Sequence, residues 1–348
     1  VHHDIWNYDT PTAPVLMDVT VDGREIKGLF QTTKQVFAYA LNRETGQPIW
    51  PIVERPVPQS IVPGEKLAAT QPFPTRPAPY DLQGRQPEHL IDYTPEIRRR
   101  ALQIAQDNNM FAVLFEPIRT FDDPRGPTPM CPGDGGGTNI PGPSVGDPVN
   151  GILFVTSTSN CSPNAVMPAN ESPLDTPEQT GVTHSDWSAA QGGGGGRGGQ
   201  PNVDGLPLWK GPVGRITAID MNTGEHLWVI PSADAPQAEQ DMIRNHPLLQ
   251  GVPNIDAIAN RGRGFLAPMT VTPNLLLAAS QTAANTPVLR GIDKRTGRVV
   301  GEVEIPGISR YGMSSWEHNG HQYIIVQLAD GIAAFGLPAA IPAAGVAH

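Results

Sequence analysis

AYALNRETGQPIW, residues Ala38–Trp50, is the first of three related segments that decide the fold. The others are TAIDMNTGEHLW (Thr217–Trp228) and RGIDKRTGRVVG (Arg290–Gly301). Each runs an apolar strand into a polar turn ending in Thr-Gly, then into a second strand. The glycine supplies the positive φ that such a turn needs. Trp50 and Trp228 fall on the second strand of their copies, placed to dock on a neighbouring unit; the third copy has Gly301 there. The copies are irregularly spaced, so long insertions separate them. Repeats with insertions on one face suit a propeller better than a solenoid.

Short strand signals continue in both directions. Val15–Thr20 and Ile26–Thr32 flank Asp22-Gly23, a hairpin signature. Val36–Leu41 reads as the next strand, and Gly151–Ser157 as a buried one. Arg215–Asp220 pairs with His226–Ile230, and Leu275–Ala279, Val288–Ile292 and Val299–Ile305 extend the series. Ser314–His318 and Gln322–Gln327 flank Asn319-Gly320, the strongest short hairpin signal, and Ile332–Gly336 closes it. Helix is scarce. Thr94–Asn108 has an N-cap threonine, Pro95 at the first helical position, and Ile97, Ala101, Ile104 and Ala105 on one face. Ala238–Asn245 reads as a short second helix.

Composition excludes several classes. Hydrophobic residues are 39% and charged residues 17%, apolar enough for a packed core. Gly 37 and Pro 38 together exceed a fifth of the chain, which a helical protein would not tolerate. The net charge is −10 and no Lys/Arg-rich run exists, so nucleic acid is not expected as a partner. No apolar stretch is long enough to span a membrane. No signal peptide or initiator Met is visible at Val1, and upstream sequence is expected to be missing. Gly192–Gly199 (GGGGGRGG) satisfies a dinucleotide fingerprint only trivially, without the flanking strand and helix. The chain reads as one domain over 1–348, with a Pro-rich and helical insertion at 51–130 and a Gly-rich flexible loop at 170–206. Cys131 and Cys161 are either two buried thiols or one disulfide across about 30 residues, which would stabilise by roughly 3–4 kcal/mol in an oxidising compartment. His318 and His321 beside the Asn-Gly turn read as surface residues rather than a zinc site.

VHHDIWNYD (Val1–Asp9) resembles the His-His-Asp-Leu-Trp-Asp segment of the PQQ-dependent (quinoprotein) dehydrogenases, especially their glucose dehydrogenase branch. Thr33-Lys34-Gln35 is similar to that family's Thr-Lys-Gln motif. ERPVPQS (Glu54–Ser60), TQPFPTRPAP (Thr70–Pro79), GGGTN (Gly135–Asn139) and Gly205–Trp228 continue the likeness in order. The resemblance implies an all-β fold: a β-propeller of four-stranded antiparallel blades, about half of an eight-bladed ring, with long loop insertions and one or two short helices. Missing N-terminal blades or a second chain would close it. It also implies a PQQ-dependent oxidoreductase that takes hydride from a sugar or alcohol and passes electrons to a membrane quinone or cytochrome, in the periplasm or otherwise exported. Its cofactors would be pyrroloquinoline quinone and Ca²⁺. Lys34 matches the cation that touches the quinone, and Asn139 matches a polar residue lining it. Asn7 stands where the family has its catalytic aspartate and Ca²⁺ ligand. An amide cannot accept the proton, so Asp4 or Asp9 is expected to substitute; Asp9 would share a strand face with Asn7. Asn7, Ile140 (a tryptophan in the family) and Gly301 also leave open a catalytically silent propeller acting as a binding or scaffold module.

Overall fold

The computed structural model describes residues 1–140, 144–169, 187–189 and 201–336. Four antiparallel sheets carry the architecture. The first has strands Val15–Val21, Arg24–Thr32 and Ala38–Asn42. The second runs Glu225–Pro231, Gly214–Asp220, Ile152–Thr158, Val145–Asp147 across its width. The third follows chain order through Met269–Val271, Leu275–Gln281, Pro287–Asp293 and Val299–Glu304. The last has Ser309–His318, His321–Leu328 and Ile332–Gly336. Two of the four therefore have three strands rather than four. In the first sheet, Gln47–Ile49 only grazes the edge through the Asn42 amide to Gln47 carbonyl bond and the Ile49 amide to Ala40 carbonyl bond.

Turn chemistry explains these sheets. Asp22 and Gly23 both have positive φ, 51° and 75°, and Val21 pairs with Arg24 across them. Asn319 and Gly320 repeat this at 52° and 77°. Both are two-residue hairpins whose backbone twist matches that of the strands. The repeated Thr-Gly turns are Asx turns. Asp293 Oδ1 accepts from the amides of Arg295 and Thr296, at 3.0 and 2.9 Å, and the Gly297 amide returns to the Asp293 carbonyl. Asn42 and Asp220 begin the other two.

The sheets stack face to face. Met17, Val19 and Phe30 of the first meet Leu153, Val155 and Ile219 of the second. Phe154, Ile216 and Ala218 of the second meet Leu276, Ala278 and Ile292 of the third. Leu289 of the third meets Val326 and Leu328 of the last. Ile152–Thr158 is consequently buried at every position, because successive side chains enter opposite interfaces. The repeat tryptophans mark the junctions. A Cβ on Gly224 would lie 3.5 Å from the Trp50 ring, and one on Gly297 would lie 2.8 Å from the Trp228 ring. The Trp228 indole N–H donates to the Lys294 carbonyl at 3.0 Å. Trp228→Phe keeps an aromatic side chain but removes the indole N–H and so orphans that carbonyl. It is expected to cost about 1–2 kcal/mol, read as a lowered urea midpoint at unchanged slope.

Insertions carry the helices. Pro95–Asp107 starts as expected, with Thr94 Oγ1 accepting from the Ile97 amide, and buries Ile97, Ala101 and Ala105. It packs with Leu206, Trp209 and the helix Gln237–Arg244 in a separate apolar cluster. A third helix, Ile255–Ala259, exceeds the one or two expected. It is one short turn without a side-chain cap, entered through Asn254 at φ 58°. Most of 170–206 lies outside the described residues. Within it, Trp187–Ala189 pairs with Ser162–Pro168, and Asn202–Val203 pairs with Leu206–Pro207. Among the described residues, no helix is long and apolar enough to cross a membrane.

Candidate functional site

The opening nonapeptide is a tethered loop, not a strand. Asp4 Oδ1 accepts from the Trp6 amide at 2.9 Å and Oδ2 from the Tyr8 amide at 2.7 Å. Both oxygens thus accept from the loop's own backbone, which gives Asp4 a role in shaping the loop. Trp6 and Tyr8 are buried against Phe115, and the indole N–H of Trp6 donates to the Glu116 carbonyl. The Tyr8 hydroxyl donates to the Pro132 carbonyl, and Gln35 Nε2 donates to the Tyr8 carbonyl. Burial, with added repulsion from Asp4 and Asp134, pushes the Tyr8 hydroxyl far above its ordinary range. This phenol stays a neutral donor. His2 lies on the outside: its amide meets Gln71 and its ring meets Glu54 at 2.9 Å.

Asn7 has φ 61°, in the left-handed region that asparagine tolerates. Its Nδ2 donates to the Asp134 carbonyl at 3.1 Å and the residue is exposed. The positive φ breaks the extended geometry on which a shared face with Asp9 rested. Asp9 instead reaches Lys34, with Oδ1 2.5 Å from Nζ.

Lys34 sits in a turn between strands, and its side chain is only 6% exposed. Val36 follows at φ 64°, a strained conformation for a β-branched residue. Tyr80 pins the turn by donating to the Thr33 carbonyl at 2.7 Å. The glycine-rich segment explains the burial of Lys34. A Cβ on Gly136 (φ 72°) would lie 2.4 to 2.8 Å from three carbons of Lys34, and one on Gly137 would lie 2.2 Å from Val36. Only glycine lets this backbone lie on the lysine stem. The Gly137 amide donates to the Lys34 carbonyl at 2.9 Å, and the Thr158 amide donates to the Gly137 carbonyl. Nonapeptide, lysine turn and glycine loop are thereby one unit. Asn139 is folded onto its own loop: Nδ2 donates to the Gly135 carbonyl and Oδ1 accepts from the Ile140 amide.

Cys131 and Cys161 form a disulfide beside the glycine loop. Replacing both by serine is expected to cost about 3–4 kcal/mol, measured as the loss of denaturant stability under non-reducing conditions. Sequence patterns missed the buried ion cluster beneath. Asp81 Oδ1 lies 3.1 Å from Arg215 Nη2, and Asp81 Oδ2 accepts from the Ser157 hydroxyl at 2.7 Å. Burial raises the Asp81 carboxyl, and Arg215 and Ser157 oppose it. No motif joins positions so far apart in the chain.

The arrangement suits an anionic or electron-rich planar group better than a metal. Lys34 offers a buried cation beside three successive glycines, Gly135–Gly137. A calcium ion requires six to eight oxygens. Asn7 Oδ1 is a single neutral oxygen, and the carboxylates of Asp4 and Asp9 are engaged as described. Among the described residues no three His, Cys, Asp or Glu side chains converge to hold a metal. Calcium therefore does not fit as a site complete within these residues, and no step is assigned to it.

Residues 1–324 match the family described as "PQQ: Glucose/ethanol/alcohol dehydrogenase, beta-propeller domain". The chain is 27% identical over 380 residues to the glycerol dehydrogenase large subunit of Gluconobacter thailandicus, covering 98% of this chain and 47% of that protein. It is 26% identical over 359 residues to the quinoprotein glucose dehydrogenase of Escherichia coli, covering 97% and 40%. It thus spans less than half the length of these curated relatives. The crystal structure of quinohemoprotein alcohol dehydrogenase from Comamonas testosteroni superposes with a TM-score of 0.49 at 14% identity, over 94% of this chain and 36% of that one. By the match over nearly its whole length, this chain belongs to the PQQ-dependent glucose/ethanol/alcohol dehydrogenase β-propeller family.

Proposed function

We propose that this chain is the cofactor-bearing part of a quinoprotein dehydrogenase that oxidises a sugar or another small alcohol. The single observation that carries this is the buried Lys34 ammonium, paired with Asp9 and overlaid by Gly136. Pyrroloquinoline quinone, when bound, supplies the hydride-accepting carbonyl. Lys34, a buried cation held by Asp9, would be the residue that stabilises negative charge on the reduced cofactor. Gly136 and Gly137 are packed on Lys34 and Val36, while Gly135 beside them has open space where a side chain would stand. Asp9 Oδ1 is held on Lys34, which leaves Oδ2 to take the proton of the substrate hydroxyl. Asn7, neutral, contributes its carbonyl as a positioning group.

The four stacked sheets are read as about half of an eight-bladed propeller, one domain over 1–348 with the insertion at 51–130 and the loop at 170–206. Val299, Val300, Val303, Tyr311 and Trp316 are exposed on the third and last sheets, where further blades or a second chain would cover apolar surface. A membrane quinone or cytochrome would take the electrons. The disulfide supports an exported, periplasmic location.

A dye-linked assay of the full-length gene product with added PQQ and Ca²⁺ tests the proposal. Turnover is expected with a sugar or polyol. Asn7→Asp, which adds a second carboxylate, is expected to raise it. No turnover before or after that change would favour a silent scaffold.

A further inference from the structure

Asn-Gly occurs at two places in the chain, Asn150-Gly151 and Asn319-Gly320. Asparagine before glycine carries a latent reaction. The glycine amide nitrogen can attack the asparagine side-chain carbonyl carbon, because the glycine has no Cβ to shield the approach. The structure separates the two copies.

At Asn150-Gly151 both reacting groups are held. The Gly151 amide donates to the Asp147 carbonyl at 2.9 Å. Asn150 Nδ2 donates to Asp147 Oδ2 at 2.7 Å, and the Asn150 main-chain carbonyl accepts from Asn222 Nδ2 at 3.2 Å. Asp147 is itself buried and paired with Lys294, and Gly151 is buried. Attack there requires these bonds to open first.

At Asn319-Gly320 no such bonds hold the reacting atoms. The dipeptide is the exposed tip between Ser309–His318 and His321–Leu328, closed by the His318–His321 pair. Among the described residues the Gly320 amide has no hydrogen-bond partner. The space beside it is open, with nothing within 4 Å of where a Cβ would stand. Asn319 Nδ2 meets only the His318 ring, at 3.2 Å from Nε2. That ring is stacked on Trp316, with centroids 5.3 Å apart, so an imidazole is kept beside the nitrogen that must leave.

We infer that Asn319-Gly320 is a self-modification site, a spontaneous deamidation centre, and that Asn150-Gly151 is silent while the protein is folded. The bond from Gly320 nitrogen to Asn319 Cγ forms and the Cγ–Nδ2 bond breaks. Nδ2 leaves as ammonia, taking up the proton that the Gly320 amide loses, with His318 placed to relay it. The product is a cyclic succinimide. Water opens the ring at either carbonyl to give aspartate or isoaspartate, with no change in oxidation state. Isoaspartate routes the main chain through the side chain. It adds a methylene to a two-residue turn whose φ values of 52° and 77° match the strand twist. Either product adds a negative charge beside Glu317 and His318. None of this depends on the redox reading.

The test holds the full-length gene product in mildly alkaline buffer, with and without urea, and follows both dipeptides by peptide mass spectrometry. Isoaspartate is scored separately by enzymatic methyl labelling. In the folded protein Asn319 is expected to convert at least about tenfold faster than Asn150, the factor carried by a retained hydrogen bond of ordinary strength. In urea the Asn150 rate is expected to rise to that of Asn319, because the shared glycine is then what the two sites have in common. Equal rates in the folded protein, a faster Asn150, or an Asn319 that stays intact while the unfolded chain converts would overturn the assignment. So would a preference for Asn319 that persists in urea, since it would belong to the neighbouring residues and not to the fold.

Discussion

Turnover of the PQQ-loaded full-length enzyme falls about 10²–10⁴-fold when Asp9 is replaced by asparagine, the usual effect of losing a general base. The geometry singles out this carboxylate. Asp4 is spent on the amides of Trp6 and Tyr8, and position 7 is an amide. Asp9 alone of the nonapeptide's acids touches Lys34, and its side chain is 54% exposed, open to an incoming hydroxyl. The measurement is kcat and KM of each variant at saturating PQQ. Asp9→Asn should lower kcat with little change in KM, and Asp4→Asn should lower it far less. An Asp9→Asn enzyme with full turnover would remove Asp9 from the reaction.

The second large effect concerns stability. Lys294 Nζ lies 2.6 Å from Asp147 Oδ2, and their side chains are 6% and 1% exposed. The pair ties the third sheet's Thr-Gly turn to Val145–Asp147, an edge strand of the second sheet. Lys294→Met leaves a buried carboxylate without its counter-charge and is expected to cost about 3–5 kcal/mol. Adding Asp147→Leu should recover most of that loss, because two apolar groups need no pairing. Burial alone would raise the Asp147 carboxyl. Hydrogen bonds from Lys294 and Asn150 more than offset this and hold it below its ordinary 3.8. The sign follows. The wild-type pair stabilises fully above the ordinary value, and the contribution fades as pH falls through the lowered one. In Lys294→Met the carboxyl rises instead, so the variant's deficit shrinks on acidification. Urea midpoints between pH 3 and 8 (an interval chosen to bracket the ordinary carboxylate range) read both trends.

The fold was legible where backbone sign is written in residue type. Asp22-Gly23, Asn319-Gly320 and the Thr-Gly turns require positive φ, and Gly, Asn and Asp supply it. Thr94-Pro95 announces its helix for the same kind of local reason. Ile255–Ala259 gave no such notice, having neither length nor a side-chain cap. At the candidate site, the three motifs could be seen but not their pairing. Period-two reasoning linked Asp9 to Asn7, whereas Asn7's left-handed backbone turned Asp9 toward Lys34. Asp81, Arg85 and Arg215 meet through tertiary packing alone, which no local pattern encodes.

The tryptophan contacts have a symmetry consequence. Trp50 reaches forward to the turn at Gly224, and Trp228 reaches forward to the turn at Gly297. Donor and receiver are different surfaces, so each junction is heterologous. A twofold pairing through these surfaces would set tryptophan against tryptophan and turn against turn, leaving every one unmatched. Head-to-tail contacts of this kind either close into a ring or continue without end, and rotation per step decides which. The receiving turn at Gly46 has nothing within 4 Å of where a Cβ would be. A sheet added beside the first one, from this polypeptide or another, would continue the series by setting an aromatic side chain against this turn.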